Sequence, residues 1–166
     1  MGELGSAVRR WYVALTKPRG EVQAQHHLER QGYLTVLPGF QRTGQRWQPL
    51  FPRYLFVTPS RADQSIAPIR STIGVSTLVR FGNTPASVGE DIVRALEGLA
   101  EEIQAVPVSV AKGLVVGERV QFVSGALKGL EGLITANADQ RVMVLLELLG
   151  REVQVSADYQ DIKLSH

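Results

Sequence analysis

Apolar positions fall in short strand-like runs over the first half of this chain and return twice at helical spacing. The run Trp11-Tyr12-Val13-Ala14-Leu15, closed by Lys17-Pro18, reads as a strand. Polar residues then predominate up to Gln31, but Ala24 and Leu28 lie four apart on one helical face, and Gly32 is placed to end the helix. YLTVLP at 33–38 predicts a second strand, and LFPRYLFV at 50–57 an aromatic-rich third. Between them QRTGQRWQ is a polar, glycine-containing excursion that carries Arg42 and Arg46. STIGVSTLVRF at 71–81 is a further strand candidate, and residues 83–86 a loop. Ser87 followed by Glu90 fits a capping box, after which Val88, Ile92, Ala95, Leu96, Leu99 and Ile103 recur at the spacing of an amphipathic helix. This order predicts an α+β sandwich over residues 9–103, with helices against a mostly antiparallel sheet.

The pattern changes at Gln104. QAVPVSVAKG is poor in charge, contains a proline and reads as a linker over 104–113. Residues 114–166 are written in brief β segments, ERVQFV, EGLITA, RVMVLLEL, REVQV and DIKL, separated by Gly- or Asp-containing turns. So short a second domain, built this way, predicts a small SH3-like β-barrel.

Composition narrows the function. A 44% apolar content suits a folded chain. No run approaches the roughly 20 apolar residues of a membrane helix, and the first ten residues lack the apolar stretch of a signal peptide, so a cytoplasmic protein is expected. The net charge of +2 hides an asymmetry: residues 9–80 hold eleven Lys and Arg against three acids, while residues 81–166 hold seven against twelve. A basic half joined to an acidic half suggests a polyanion-facing domain tied to one with another partner; a merely solvated arginine-rich surface is the alternative.

Catalysis finds little support. Without cysteine there is no disulfide, thiolate metal site or cysteine nucleophile. Of three histidines, His26 and His27 are neighbours pointing in different directions on a helix and His166 is last in the chain. Neither a zinc-protease nor a P-loop spacing occurs, and Gly125, Gly129 and Gly132 read as turn glycines rather than a phosphate cradle. A binding protein without cofactor or metal is expected, not an enzyme.

The segment GERVQFVSGALKGLEGLITANADQRVMVLLELLGREVQV resembles a KOW motif, which alone is shared by ribosomal proteins and elongation factors. Upstream, WYVALTKPRGEVQAQHHLERQG, PLFPRYLFV and IGVSTLVRFGNTPASV resemble, in order and spacing, the N-terminal domain of the NusG class of bacterial transcription elongation factors. LERQ at 28–31, the PLFPRYLFV block and VRFGNTPA at 79–86 resemble the RfaH branch of that class most. The resemblance implies a monomeric factor that stays on elongating RNA polymerase, suppresses pausing and termination, and is recruited through the non-template DNA strand. A general NusG-type factor without DNA sequence preference is the nearer alternative, and a ribosome-associated, RNA-binding KOW protein the more distant one.

It also implies sites. The clamp helices of the large polymerase subunit would meet an apolar surface around Phe51, Tyr54, Phe56 and Phe81. Tyr54 and Phe56 alternate with Leu55 and Val57, so one set can build core while the other is shown to a partner. The interface is the reading favoured, since a sheet backed by helices on one face leaves the other available; ordinary core is the alternative. DNA would meet Lys17, Gln23, His27, Arg30, Gln31 and Thr72. The spacing of Gln23, His27 and Arg30 makes a donor-rich helical face suited to base edges, or simply a solvated one. Where RfaH-type proteins carry His-Thr-Thr-Thr, an element that contacts the polymerase gate loop, this chain reads Ser65-Ile66-Ala67-Pro68, and Ile73 stands where an arginine is expected.

RfaH-type proteins can also hold the KOW domain as an α-helical hairpin packed over the polymerase site. Both states are written here: VMVLLELL contains leucines a helix favours, while Val142, Val144, Val153 and Val155 favour strands. Gly125, Gly129, Gly132 and Gly150 would each cost about 1 kcal/mol inside a helix. In the family an acidic residue before PLFP pairs with an arginine of the second helix; here Arg141 would face Gln48. The expectation is that the barrel is at least substantially populated in the free protein. Such a barrel could offer an edge strand to ribosomal protein S10.

Overall fold

The protein, seen in a computed structural model, is described over residues 9–105 and 136–164. Its elements are β1 (Arg10–Thr16), α1 (Glu21–Arg30), β2 (Tyr33–Val36), β3 (Gly39–Phe40), β4 (Gln48–Pro49), β5 (Tyr54–Pro59), a 3-10 turn (Ala67–Ser71), β6 (Val75–Leu78), β7 (Arg80–Phe81), β8 (Thr84–Pro85), β9 (Ser87–Gly89), α2 (Glu90–Ala105) and α3 (Ala138–Leu164). The main sheet runs β2-β5-β1-β6, every pair antiparallel, and β9 adds to the other half of β1. β3 and β4 make the base of the predicted basic excursion, and β7 and β8 form a second small hairpin.

The period-2 alternation of β5 sorts its side chains to two faces. Leu55 and Val57 join Ala24 and Leu28 of α1 in one buried cluster. Phe56 joins a second cluster on the opposite face, with Leu96, Leu99 and Ile103 of α2, and Tyr54 packs against it. Gly32, at φ +91°, turns the chain out of α1 as expected. Gly74, at φ +92°, lets the loop before β6 lie on α1: a Cβ there would stand 2.8 Å from the backbone nitrogen of Ala24.

Three expectations are corrected. The third strand begins at Tyr54, not at Leu50, because Arg53 takes a left-handed φ of +74°. The Arg53 side chain anchors that turn by donating from Nε to the carbonyl of Thr16 at 3.0 Å. Ser87 opens no capping box: residues 87–89 pair with β1 as a strand, Arg10 donating to the Ser87 hydroxyl and carbonyl, and α2 starts only at Glu90. Residues 141–148, 151–155 and 161–164, expected as barrel strands, lie in the single helix α3. The expected strand at 118–123, nearly all of that at 131–136, most of the linker, and Gly125, Gly129 and Gly132 lie outside the described residues.

The reason for the last correction is visible in what α3 buries. Leu145, Leu148, Leu149 and Val153, at helical spacing, enter the same cluster as Phe51, Phe56 and α2. Burial of a leucine is worth about 1.5 to 3 kcal/mol, which outweighs the valine and glycine propensities that oppose a helix. Gly150 sits inside α3, and a methyl group placed on it would lie 3.6 Å from the Phe81 ring.

Candidate functional site

Two surfaces hold the residues singled out from the sequence. On the first, α1 turns Ala24 and Leu28 inward and leaves Gln23 and Arg30 exposed and His27 half-buried. Lys17 is exposed in the preceding turn, its backbone N–H donating to the carbonyl of Gly74 at 2.8 Å. Gln31, the residue after α1, donates from Nε2 to the Thr72 hydroxyl at 2.8 Å and to the His27 carbonyl at 3.2 Å. Thr72 is itself only 7% exposed and donates to the Pro68 carbonyl at 3.0 Å. The structure therefore brings five of the six side chains to one surface and puts Thr72 beneath it, holding Gln31. Ile73, next to Thr72, is 60% exposed, as is Val22 of α1 at 63%, so the surface also carries apolar side chains.

On the second surface the aromatics divide. Phe51 and Phe56 are fully buried, Tyr54 is half-buried, and Phe81 is 37% exposed. The sheet face of Tyr54 and Phe56, which one of the two readings left open to a partner, is covered by both α2 and α3. α3 is held at three places besides the apolar cluster. Arg141, buried in the first turn, donates from Nε to the Leu50 carbonyl at 2.7 Å and from Nη1 to the Ala136 carbonyl at 2.8 Å, and its guanidinium lies 5.3 Å from the centre of the Phe40 ring. Its contact with Gln48 Oε1 is long, 3.4 Å. Farther along, Glu152 meets Arg10 at 3.7 Å. Phe81 and Gly150 close the third.

Electrostatically this latch is one-sided. Arg42 also lies over Phe40, 5.6 Å from the ring centre, and its Nε has no hydrogen-bond partner among the described residues. Burial pulls the Arg141 pKa below the usual guanidinium range, and the neighbouring positive charge of Arg42 pulls the same way. No carboxylate answers the two cations: none of the ion pairs among the described residues includes either. Gln48→Glu is therefore expected to tighten the docking of α3 by up to about 1 kcal/mol, since it sets an opposite charge beside two guanidinium groups where Gln48 offers only a dipole. Hydrogen exchange of the α3 amides reads this directly, and unchanged protection would show that residue 48 does not reach Arg141 in solution.

Sequence reasoning foresaw the Arg141–Gln48 pair and missed Arg10, whose partner Glu152 stands 142 positions away with no local signal. Among the described residues there is no cluster of three or more potential metal ligands, and no helix is long and apolar enough to cross a membrane. Residues 9–97 match the family model NusG, described as transcription termination factor nusG.

Proposed function

Because the chain belongs to the NusG family, a class of transcription termination and elongation factors that bind RNA polymerase, we propose that it is an RfaH-like elongation factor whose polymerase-binding face is covered until recruitment. The observation that carries this reading is the packing of α3 over the cluster containing Phe51 and Phe56, with Phe81 at its edge. Clamp helices of the large polymerase subunit and α3 would compete for the same apolar surface, so the factor binds only when α3 is displaced. On the other side of the sheet, the face made by Lys17, Gln23, His27, Arg30 and Gln31 stays accessible and can meet the displaced non-template strand first. Arginine and glutamine there suit guanine and adenine edges. Bound across the main cleft, the factor suppresses pausing and termination by favouring the closed clamp, without covalent chemistry. Once released, the KOW segment is free to form a barrel and to offer an edge strand to ribosomal protein S10.

The test is calorimetric titration of the protein opened by Leu149→Ala with a clamp-helix fragment, so that loosening of α3 cannot offset a loss at the interface. Tyr54→Ala and Phe81→Ala are each expected to weaken binding by about 1 to 2 kcal/mol, the size of an interface aromatic at a hot spot, with the circular dichroism unchanged. Affinity unchanged in both variants would sink the assignment of this face. A general NusG-type factor would show the same losses but recruitment indifferent to the sequence of the exposed strand.

A further inference from the structure

Two guanidinium groups share one aromatic ring where the β3–β4 hairpin meets the first turn of α3. Arg141 lies 5.3 Å and Arg42 5.6 Å from the centre of Phe40. Phe40 and Gln48 are partners across the hairpin and so share one of its faces, and Arg42, two residues beyond Phe40, falls on that face too. Donors outnumber acceptors there. Arg141 gives Nε to the Leu50 carbonyl and Nη1 to the Ala136 carbonyl, which leaves Nη2 with the long 3.4 Å contact to Gln48 Oε1. Arg42 is half-buried, and its Nε, shut off from solvent, meets no acceptor among the described residues. A buried charged donor in that position points to an acceptor that the protein itself does not supply.

The surrounding charge leads to the same place. Asp139 in the first turn of α3, and Glu101 and Glu102 near the end of α2, are all exposed, and no ion pair among the described residues joins an acid to Arg42 or Arg141. The end of α2 does reach the hairpin, but through a neutral group: the Gln41 N–H donates to Gln104 Oε1 at 3.1 Å. The start of α3 is likewise capped by neutral side chains. Asn137 Oδ1 accepts from the Gln140 N–H at 2.8 Å, and Gln140 Oε1 from the Asn137 N–H at 3.0 Å, so the positive end of the helix dipole adds to the two cations.

We propose that Arg42 and Arg141 together bind a compact oxyanion of the phosphate or sulfate class, and that this anion fastens α3 to the β3–β4 hairpin. A tetrahedral oxyanion offers several oxygens at once, enough to take Arg42 Nε and Arg141 Nη2 together. Burial selects for small size: Arg141 is 5% exposed, so a phosphate flanked by sugars along a nucleic-acid strand fits it poorly. Arg141 travels with α3 and Arg42 stays with the hairpin. The anion is therefore a ligand of the closed form, and it stabilises closure by mass action. The fastening of α3 rests on the reading of this helix as a removable cover. Binding of the anion does not, because it is read at the arginines themselves.

The experiment titrates the full-length, 15N-labelled protein with inorganic phosphate in the low millimolar range, against sodium chloride of matched ionic strength and against a short oligothymidylate. Phosphate is expected to move the Nε–Hε cross-peaks of Arg42 and Arg141, and chloride to leave them in place. At phosphate ten times its dissociation constant, hydrogen exchange of the amides at 141–149 should slow about tenfold. Arg42→Gln removes one donor set, and Gln48→Glu fills the site with a carboxylate of the chain. Each variant, whatever its own effect on α3 in chloride, should lose both the phosphate shift and the added protection. Equal shifts in chloride would reduce the effect to screening, and a phosphate effect kept by both variants would reduce it to exclusion of the salt from the protein surface. Either result overturns the proposal, as would stronger shifts of the two cross-peaks by the oligothymidylate. Arginine shifts without added protection of α3 would leave an anion site and overturn its role in fastening the helix.

Discussion

Leu149→Ala is expected to release α3 from the sheet while leaving the rest of the fold standing. Leu149 is fully buried in the cluster shared by Phe51, Phe56 and α2. Truncating a buried leucine costs about 2 to 5 kcal/mol, transfer and cavity terms together. The helix itself loses almost nothing, because alanine and leucine are both strong helix formers. The loss therefore falls on docking rather than on helicity. At about 3 kcal/mol it would make opening of α3 roughly 150-fold more frequent, close to tenfold per 1.4 kcal/mol. Hydrogen exchange should show faster amides at 141–153 with unchanged amides in β1 and β5, and affinity for a clamp-helix fragment should rise. If β1 and β5 lose protection together with α3, the helix is an integral layer of the domain, and the idea of a removable cover is wrong.

Arg141→Ala is expected to act in the same direction through polar rather than apolar contacts. The wild-type guanidinium satisfies the Leu50 and Ala136 carbonyls from a buried position. Hydrogen bonds to a charged group are worth about 1.5 to 3 kcal/mol each, and stranded acceptors add a desolvation cost when the donor is removed. Against this stands the relief of placing two guanidinium groups near one ring, Arg42 being the second. The net effect should be a loosening of about 2 to 3 kcal/mol. The two opposing terms can be separated. Arg42→Gln removes the repulsion without touching the carbonyl contacts, so it should tighten α3 where Arg141→Ala loosens it. Loosening by both variants, read as the urea midpoint of the α3 signal, would refute a repulsive role for Arg42.

Both predictions concern the longest stretch on which local pattern and structure part company. Most other elements agree with the pattern for a simple reason: where one face of an element is buried, its period is already in the sequence. Ala24 and Leu28 mark the inner face of α1, Leu96, Leu99 and Ile103 that of α2, and the alternation of β5 anticipates two clusters on two faces. The errors arise where a distant residue decides. Ser87–Gly89 has a capping pattern, yet it pairs with the start of β1 and is held by Arg10, so it becomes a strand. Leu50–Arg53 has strand-forming residues, yet the left-handed turn at Arg53 keeps it out of β5.

The candidate DNA face was legible because its members sit within one helix and the turns beside it; that Thr72 lies beneath it, holding Gln31, was not, since that bond links positions 41 apart. Likewise the aromatic residues around Phe51 could be named from the sequence, but not whether they were core or surface, because that depends on what covers them. Sequence alone determined a basic, two-faced α+β domain of the NusG family and a C-terminal segment whose residue propensities divide between helix and strand. Only the tertiary structure decided that residues 138–164 are helical. The leucines and valines of that segment nearly balance in propensity, so burial of Leu145, Leu148 and Leu149 against the sheet tips them.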